Sequence, residues 1–219
     1  MAVQRVTPYG LKEVADVYLY PAGTTVSINT SATGTTYGDI VTASTDPDFI
    51  FDTLKVSNIE VASEETSATG GKGNPELISW SYGKEITFTM EDAVFSLATL
   101  DLMFGAKGAG NGVDDNTDAT ITVDANTFPA NYHVVGMTSI RNQANGVDIP
   151  FVFEIPNAKV NVQGTLTMEA DGDPTTFEMT MKALKAGTGD STLVKFHRIG
   201  TGQGQTASNH SSNNVEPKV

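Results

Sequence analysis

The chain has 219 residues and no cysteine, and 26 Asp plus Glu outweigh 13 Lys plus Arg to give a net charge of −13. These figures exclude disulfides, thiolate metal sites and cysteine nucleophiles, and they argue against a nucleic-acid binder, which needs clustered Lys and Arg for phosphate. A chain this long buries roughly 70% of its unfolded surface without covalent staples. We expect one β domain over residues 1–199, with an N-terminal arm, and a polar tail over 200–219.

The first twenty residues, MAVQRVTPYGLKEVADVYLY, carry one early Arg but no apolar run before Pro8 and Gly10. They do not read as a signal peptide. No segment approaches the roughly 20 apolar residues of a membrane span. Between Glu13 and Leu54 there is no Lys or Arg, yet Asp16, Asp39, Asp46, Asp48 and Asp52 are present. Residues 23–48 are rich in Thr, Ser and Gly and poor in apolar groups, and 62–75 are similar. The spans 23–53 and 62–83 are therefore expected as extended polar loops.

Ile86, Phe88 and Met90 then alternate with Glu85, Thr87 and Thr89, the period of a half-buried strand. A helix is predicted over 91–104, with Ala93, Leu97, Leu100 and Phe104 on one stripe and Asp92, Ser96 and Thr99 on a polar one. Acidic residues in its first turn suit the helix dipole, and Gly105 is its stop. The stretch from Gly108 to Ile140 again lacks Lys and Arg but holds Asp114, Asp115, Asp118 and Asp124.

Strands follow at 132–140, 149–155, 165–170 and 175–184, with Val160 and Val162 between them and Val194 and Phe196 closing the set. Asn145-Gly146 and Asp171-Gly172 sit where tight hairpins are needed. No repeat of 20–50 residues is visible. The fold expected is mainly β, a barrel or sandwich with one flanking helix.

Chemistry is hard to find. His133, His197 and His210 form no local metal pattern. Asp114, Asn116 and Asp118 alternate as in a calcium loop, but Ala119 and Ala125 stand where an EF-hand needs Gly and Glu. Lys72 is followed by Gly73 rather than Ser or Thr, so TGGKGN is no phosphate loop, and no Gly-x-Ser-x-Gly elbow occurs. We expect no catalytic residue, no cofactor and no metal. An enzyme would need a pocket that brings a histidine and carboxylates together.

Residues 70–107, GGKGNPELISWSYGKEITFTMEDAVFSLATLDLMFGAK, resemble the tail tube (major tail) proteins of phages that infect Gram-positive bacteria. The similar features are the strand ELISWSYGKEI running into MEDA-FS and a helix ending in MFG. GTLTMEADGDPTTFEMTMKAL is a second, weaker echo. The resemblance implies a tail-tube-like β-barrel or sandwich whose subunits form hexameric rings stacked into a tube, through which DNA passes without specific binding. It further implies tape-measure, tail-terminator and tail-tip partners, a sheath if the tail contracts, and a place in the virion tail after assembly in the host cytoplasm.

On this reading Phe49, Ile50 and Phe51, with Trp80 and Tyr82, are the candidates for subunit contacts, ordinary core burial being the alternative for each group. Asp114, Asp115, Asp118 and Asp124 are candidates to line an acidic lumen that repels phosphate, or else they face outward. The rival readings are an all-β surface-binding or decoration module and the inner tube of a tailocin or contractile injection system. The first of these would show aromatics clustered on an exposed face of a discrete monomer or trimer.

Overall fold

The computed structural model describes residues 9–11, 13–92, 96–105, 122–161 and 177–200. Their elements are β1 (Tyr9–Leu11), β2 (Asp16–Pro21), β3 (Val26–Ile28), α1 (Tyr37–Ile40), β4 (Val41–Ala43), β5 (Phe49–Phe51), β6 (Leu54–Thr69) and β7 (Glu76–Asp92). Then come α2 (Leu97–Phe104), β8 (Asn131–Asn142), β9 (Asp148–Val160), β10 (Phe177–Ala183) and β11 (Lys195–Arg198). The chain is mainly β, as its period-two rows predict. The expected strand at 165–170, Val162 and the Asp171-Gly172 turn lie outside the described residues.

The main sheet is antiparallel and runs β5-β2-β8-β9-β10-β7-β6, with β1 beside β2 on β8 and β11 beside β10 on β9. Its two end strands, β5 and β6, are joined by only Asp52 and Thr53, so the sheet must curl to bring them together. The Thr53 hydroxyl donates to Asp92 Oδ1 at 2.7 Å at that corner. The Ala15 amide, at the entry to β2, reaches Ser57 of β6 at 3.3 Å. Curling creates one inner core, in which Val17, Leu19, Phe51, Phe88, Met90, Val134, Ile155 and Met181 meet. Phe88 of β7 and Phe153 of β9 touch across it with ring centroids 5.2 Å apart. β5 and β6 do not pair with each other, so the described residues form a sandwich-like open sheet rather than a closed barrel.

The second layer comes from the polar stretch 23–48, expected as loop. The β3–β4 hairpin and the single turn α1 fold over the outer face of β2, β8 and β9. There Ala32, Ile40 and Val41 are buried against Tyr20, Val135, Val152 and Ile199. Tyr37 anchors the turn: its ring stacks on Tyr18 at 3.6 Å and its hydroxyl lies 2.6 Å from that of Tyr20. The few apolar residues of this stretch suffice because the sheet supplies the rest of the surface. This covering buries β8 on both faces from Tyr132 to Gly136.

The predicted helix exists but is shorter and turned. Glu91 and Asp92 remain in β7, so α2 begins at Leu97 and has no acidic residue in its first turn. Ser96 caps it instead, its Oγ accepting the Thr99 amide at 3.0 Å. Among its described side chains Thr99, Leu102 and Met103 are buried, while Leu100 and Phe104 of the expected stripe are half-buried; Ala93 and the Leu97 side chain, the rest of that stripe, lie outside the described set. Gly105 ends the helix with φ of 62°, and a Cβ there would stand 2.6 Å from the backbone of Phe128 and Pro129. Gly105→Ala therefore faces both the left-handed penalty and a backbone clash. It should lower unfolding free energy by about 2 kcal/mol or more, read by urea denaturation.

Candidate interaction surface

β6 and β7 pair continuously from Leu54 opposite Asp92 to Thr69 opposite Glu76. The tight end at Gly71–Asn74 uses positive φ at Gly71, Gly73 and Asn74. The root of this hairpin belongs to the core, where Ile86, Phe88 and Met90 are buried. From Glu85 down to Glu76, every residue of β7 is exposed. A register shift between Ala62 and Glu64 falls at this boundary, where a bulge bends and twists the ribbon. Beyond it a two-stranded arm extends for about 25 Å at the usual rise per residue. The span 62–83, expected as loop, is thus ordered as strand.

Side chains on the arm alternate. Ile78, Trp80 and Tyr82 share one face, opposite Ala68, Thr66 and Glu64 of β6, while Ser79 and Ser81 point the other way. Ile78, Trp80 and Tyr82 are each more than half exposed. An aromatic stripe of this kind on a narrow ribbon has the composition of an interface anchor. Of the other predicted contact group, Phe51 is in the inner core and Phe49 packs edge-on against Tyr132 at 5.8 Å. Ile50 faces out at 57% exposure.

A groove of about 650 Å³ opens beside the root of the arm. Leu11, Val14, Val56 and Val61 line it with Phe151 and Phe196, whose rings stack at 5.9 Å. Nothing in the sequence reading marked it, because its walls come from β1, β6, β9 and β11 and meet only in the curled sheet. Of the candidate lumen residues, Asp114, Asp115 and Asp118 lie outside the described residues. Asp124 is half-buried in a turn where its Oδ1 accepts the Asn126 amide at 2.9 Å.

One cavity, of about 420 Å³, does bring a histidine and a carboxylate together. His133 Nε2 lies 3.1 Å from Glu154 Oε1, and Lys195 Nζ lies 3.2 and 3.3 Å from the two Glu154 oxygens. His197 Nε2 is 3.3 Å from Oε2. Burial alone would raise the Glu154 pKa, but hydrogen bonds from His133 and Lys195, with their charges, outweigh it and hold the carboxyl at about 2. A carboxylate so weakly basic makes a poor general base at neutral pH. Among the described residues no three His, Asp or Glu side chains are arranged to hold a metal ion, and no helix is long and apolar enough to cross a membrane.

A family model described as the YomU/Tube protein family matches residues 39–108 and 113–195, more than half of the chain. The match takes in the arm, α2 and the strands β8 to β10. No curated protein matches the chain. The matched span also includes Glu154, whose lowered pKa ties part of the stability of the fold to pH. A depressed folded-state pKa adds stability above the ordinary carboxyl value near 4.5, which disappears as pH falls through about 2. Wild type should lose on the order of 3 kcal/mol relative to Glu154→Gln across that window, measured as the difference between their urea unfolding free energies.

Proposed function

The chain belongs to the YomU/Tube protein family, and we propose that it is the subunit of a phage tail tube, polymerising as stacked hexameric rings around a conduit for DNA. The observation that carries this reading is the uncovered apolar face of the β6–β7 arm. A two-stranded ribbon is marginal alone, and a stripe of Ile78, Trp80 and Tyr82 gains stability only when another surface removes it from water. The receiving surface we assign is the Leu11–Phe196 groove of a neighbouring copy. The arm starts at the rim of its own groove and runs away from it, so the contact joins different copies. Such a head-to-tail contact propagates into rings or tubes unless two copies exchange arms reciprocally and close a pair.

Ile50 and the unpaired sides of β5 and β6 are the proposed contacts within a ring, since an exposed strand edge invites pairing with a further chain. The acidic residues, Asp114, Asp115, Asp118 and Asp124 among them, are proposed to give the lumen a charge that phosphate does not adhere to. Tape-measure, tail-terminator and tail-tip proteins are the partners this role requires. The tube is a virion component assembled in the host cytoplasm and acts without catalysis. An exposed aromatic face would equally suit a surface-binding module, and the oligomer separates the two readings.

Negative-stain electron microscopy of the purified chain, alone and with tail-tip complexes, should show rings or hollow tubes. Trp80→Ser combined with Tyr82→Ser should stay folded by circular dichroism and fail to extend tubes. Tubes at wild-type yield from that variant would overturn the role of the arm. A wild-type chain that stays monomeric even with tip complexes would overturn the tube and favour the binding module. Because the chain lacks cysteine, Thr66→Cys on the arm paired with Val14→Cys at the groove should cross-link tubes into ladders on oxidation; intact tubes without ladders would sink the groove assignment alone.

A further inference from the structure

His133 is 5% exposed, and both of its ring nitrogens face oxygen acceptors. Nδ1 is 3.0 Å from the carbonyl of Thr24, and Nε2 is 3.1 Å from Glu154 Oε1. A carbonyl only accepts, so Nδ1 must carry a proton. A neutral imidazole carries just one, and Nε2 would then need its proton from Glu154. The surroundings of Glu154 deny it that proton. Lys195 approaches both carboxylate oxygens, and an ammonium is donor only. His197 Nε2 comes to Oε2 as well. Protonating Oε1 to serve His133 would weaken it as an acceptor for the Lys195 ammonium and discharge the carboxylate that this cation pairs with.

We propose that His133 is a buried imidazolium whose two N–H groups clamp the outer layer onto the sheet. One N–H donates to Thr24, in the segment that leads from β2 into the 23–48 layer, and the other to Glu154 of β9. The groups that face the ring are Glu154 from β9, the Thr24 carbonyl and, by register on β2, Tyr20, whose hydroxyl meets Tyr37. Lys195 and His197 of β11 meet Glu154 from its other side. Glu154 is the acidic residue among those lining this cavity. The ladder between β8 and β9 shifts register between Tyr132 and Val134, which aims the ring out of the regular pleat. The low pKa of Glu154 agrees with an ionised partner.

The clamp is a proton-dependent latch. When the ring loses a proton, the remaining one stays on Nε2, because a bare Nε2 would set its lone pair against the ionised Glu154 oxygen 3.1 Å away, and the neutral carbonyl of Thr24 loses this donor. The 23–48 layer then loses its attachment at the start of its path, while β2, β8 and β9 keep their ladders. This inference concerns the fold of one subunit and stands apart from the tube reading.

The test is a long-range ¹H–¹⁵N correlation spectrum of the full chain labelled at histidine, with His197→Asn and His210→Asn variants to assign the signals. At pH 7 both His133 nitrogens should carry protons, and Glu154→Gln should return the ring to the neutral form. An unprotonated His133 nitrogen at pH 7 in the wild type would overturn the charge state. Raising the pH until the His133 signals show proton loss should increase hydrogen exchange of the 23–48 amides at least tenfold beyond the intrinsic rise. Exchange that ignores the lost proton would overturn the latch even where the ring is charged. The same spectra can be read in the solid state on assembled chains.

Discussion

The ladder between β6 and β7 runs from the hydrophobic core to the tip of the arm through three register shifts, and this shared backbone is the constraint from which the rest follows. A hairpin of this length could not hold an apolar stripe in water by itself, since isolated two-stranded ribbons are marginal. Here the root is fixed by Phe88, which is fully buried, and by Met90 and Ile86. Full burial of such side chains is worth about 1.5–3 kcal/mol each. The core therefore templates the backbone of a segment that contributes nothing to the core. Its side chains are left for something else, and their alternation selects one face to offer.

The curl of the sheet has a similar double consequence. Bringing β5 and β6 together across Asp52 and Thr53 closes the inner core on itself, yet among the described residues the two strands do not pair with each other. Where the curl leaves space, the groove between Leu11 and Phe196 exposes apolar side chains at the end of the same core that Phe153 and Phe88 fill. The outer face is handled differently. There the chain covers its own sheet with the 23–48 layer, whose apolar residues pack on Val135 and Val152, and beside that patch the buried His133 and Glu154 meet the exposed Lys195. The buried His133–Glu154 pair tolerates burial only through its hydrogen bonds, so it adds direction to the apolar area that ties layer to sheet.

Much of this was legible in the residues. Phe177, Met179, Met181 and Ala183 are buried as their alternation predicts, and Gly146 turns β8 into β9 with φ of 69°. The first strand of the arm is hidden by the Ser, Thr, Glu and Gly that dominate 62–76, whereas the second, ELISWSYGKEI, reads as a strand through the family resemblance and alternates with period two over ISWSY. Alternation says that one face is apolar; it does not say whether the body of the protein reaches that face. The layer over 23–48 was missed for the opposite reason. Its apolar residues are too few for a core of their own, and composition cannot register that the partner surface is already built by β2, β8 and β9. His133, Glu154 and Lys195 are 21 and 41 residues apart along the chain, and no local pattern links them. Phe51 and Ile50 differ in fate only by strand parity, which depends on the register with β2.

Charge completes the argument for an uncovered arm. A net charge of −13 makes copies repel one another, and that repulsion extends about 8 Å at physiological ionic strength before salt screens it. Apolar contact acts only once surfaces touch and water is displaced. Two free chains thus meet a repulsive approach before a single arm can seat. At a growing end an incoming chain meets a groove for its arm and a neighbour's strand edges in the same approach, so its balance differs from that of a free pair. In a tube built this way, the net negative charge of the chain would confine growth to ends already formed. The exposed stripe of Ile78, Trp80 and Tyr82 is then compatible with a chain that stays dispersed until such an end is available.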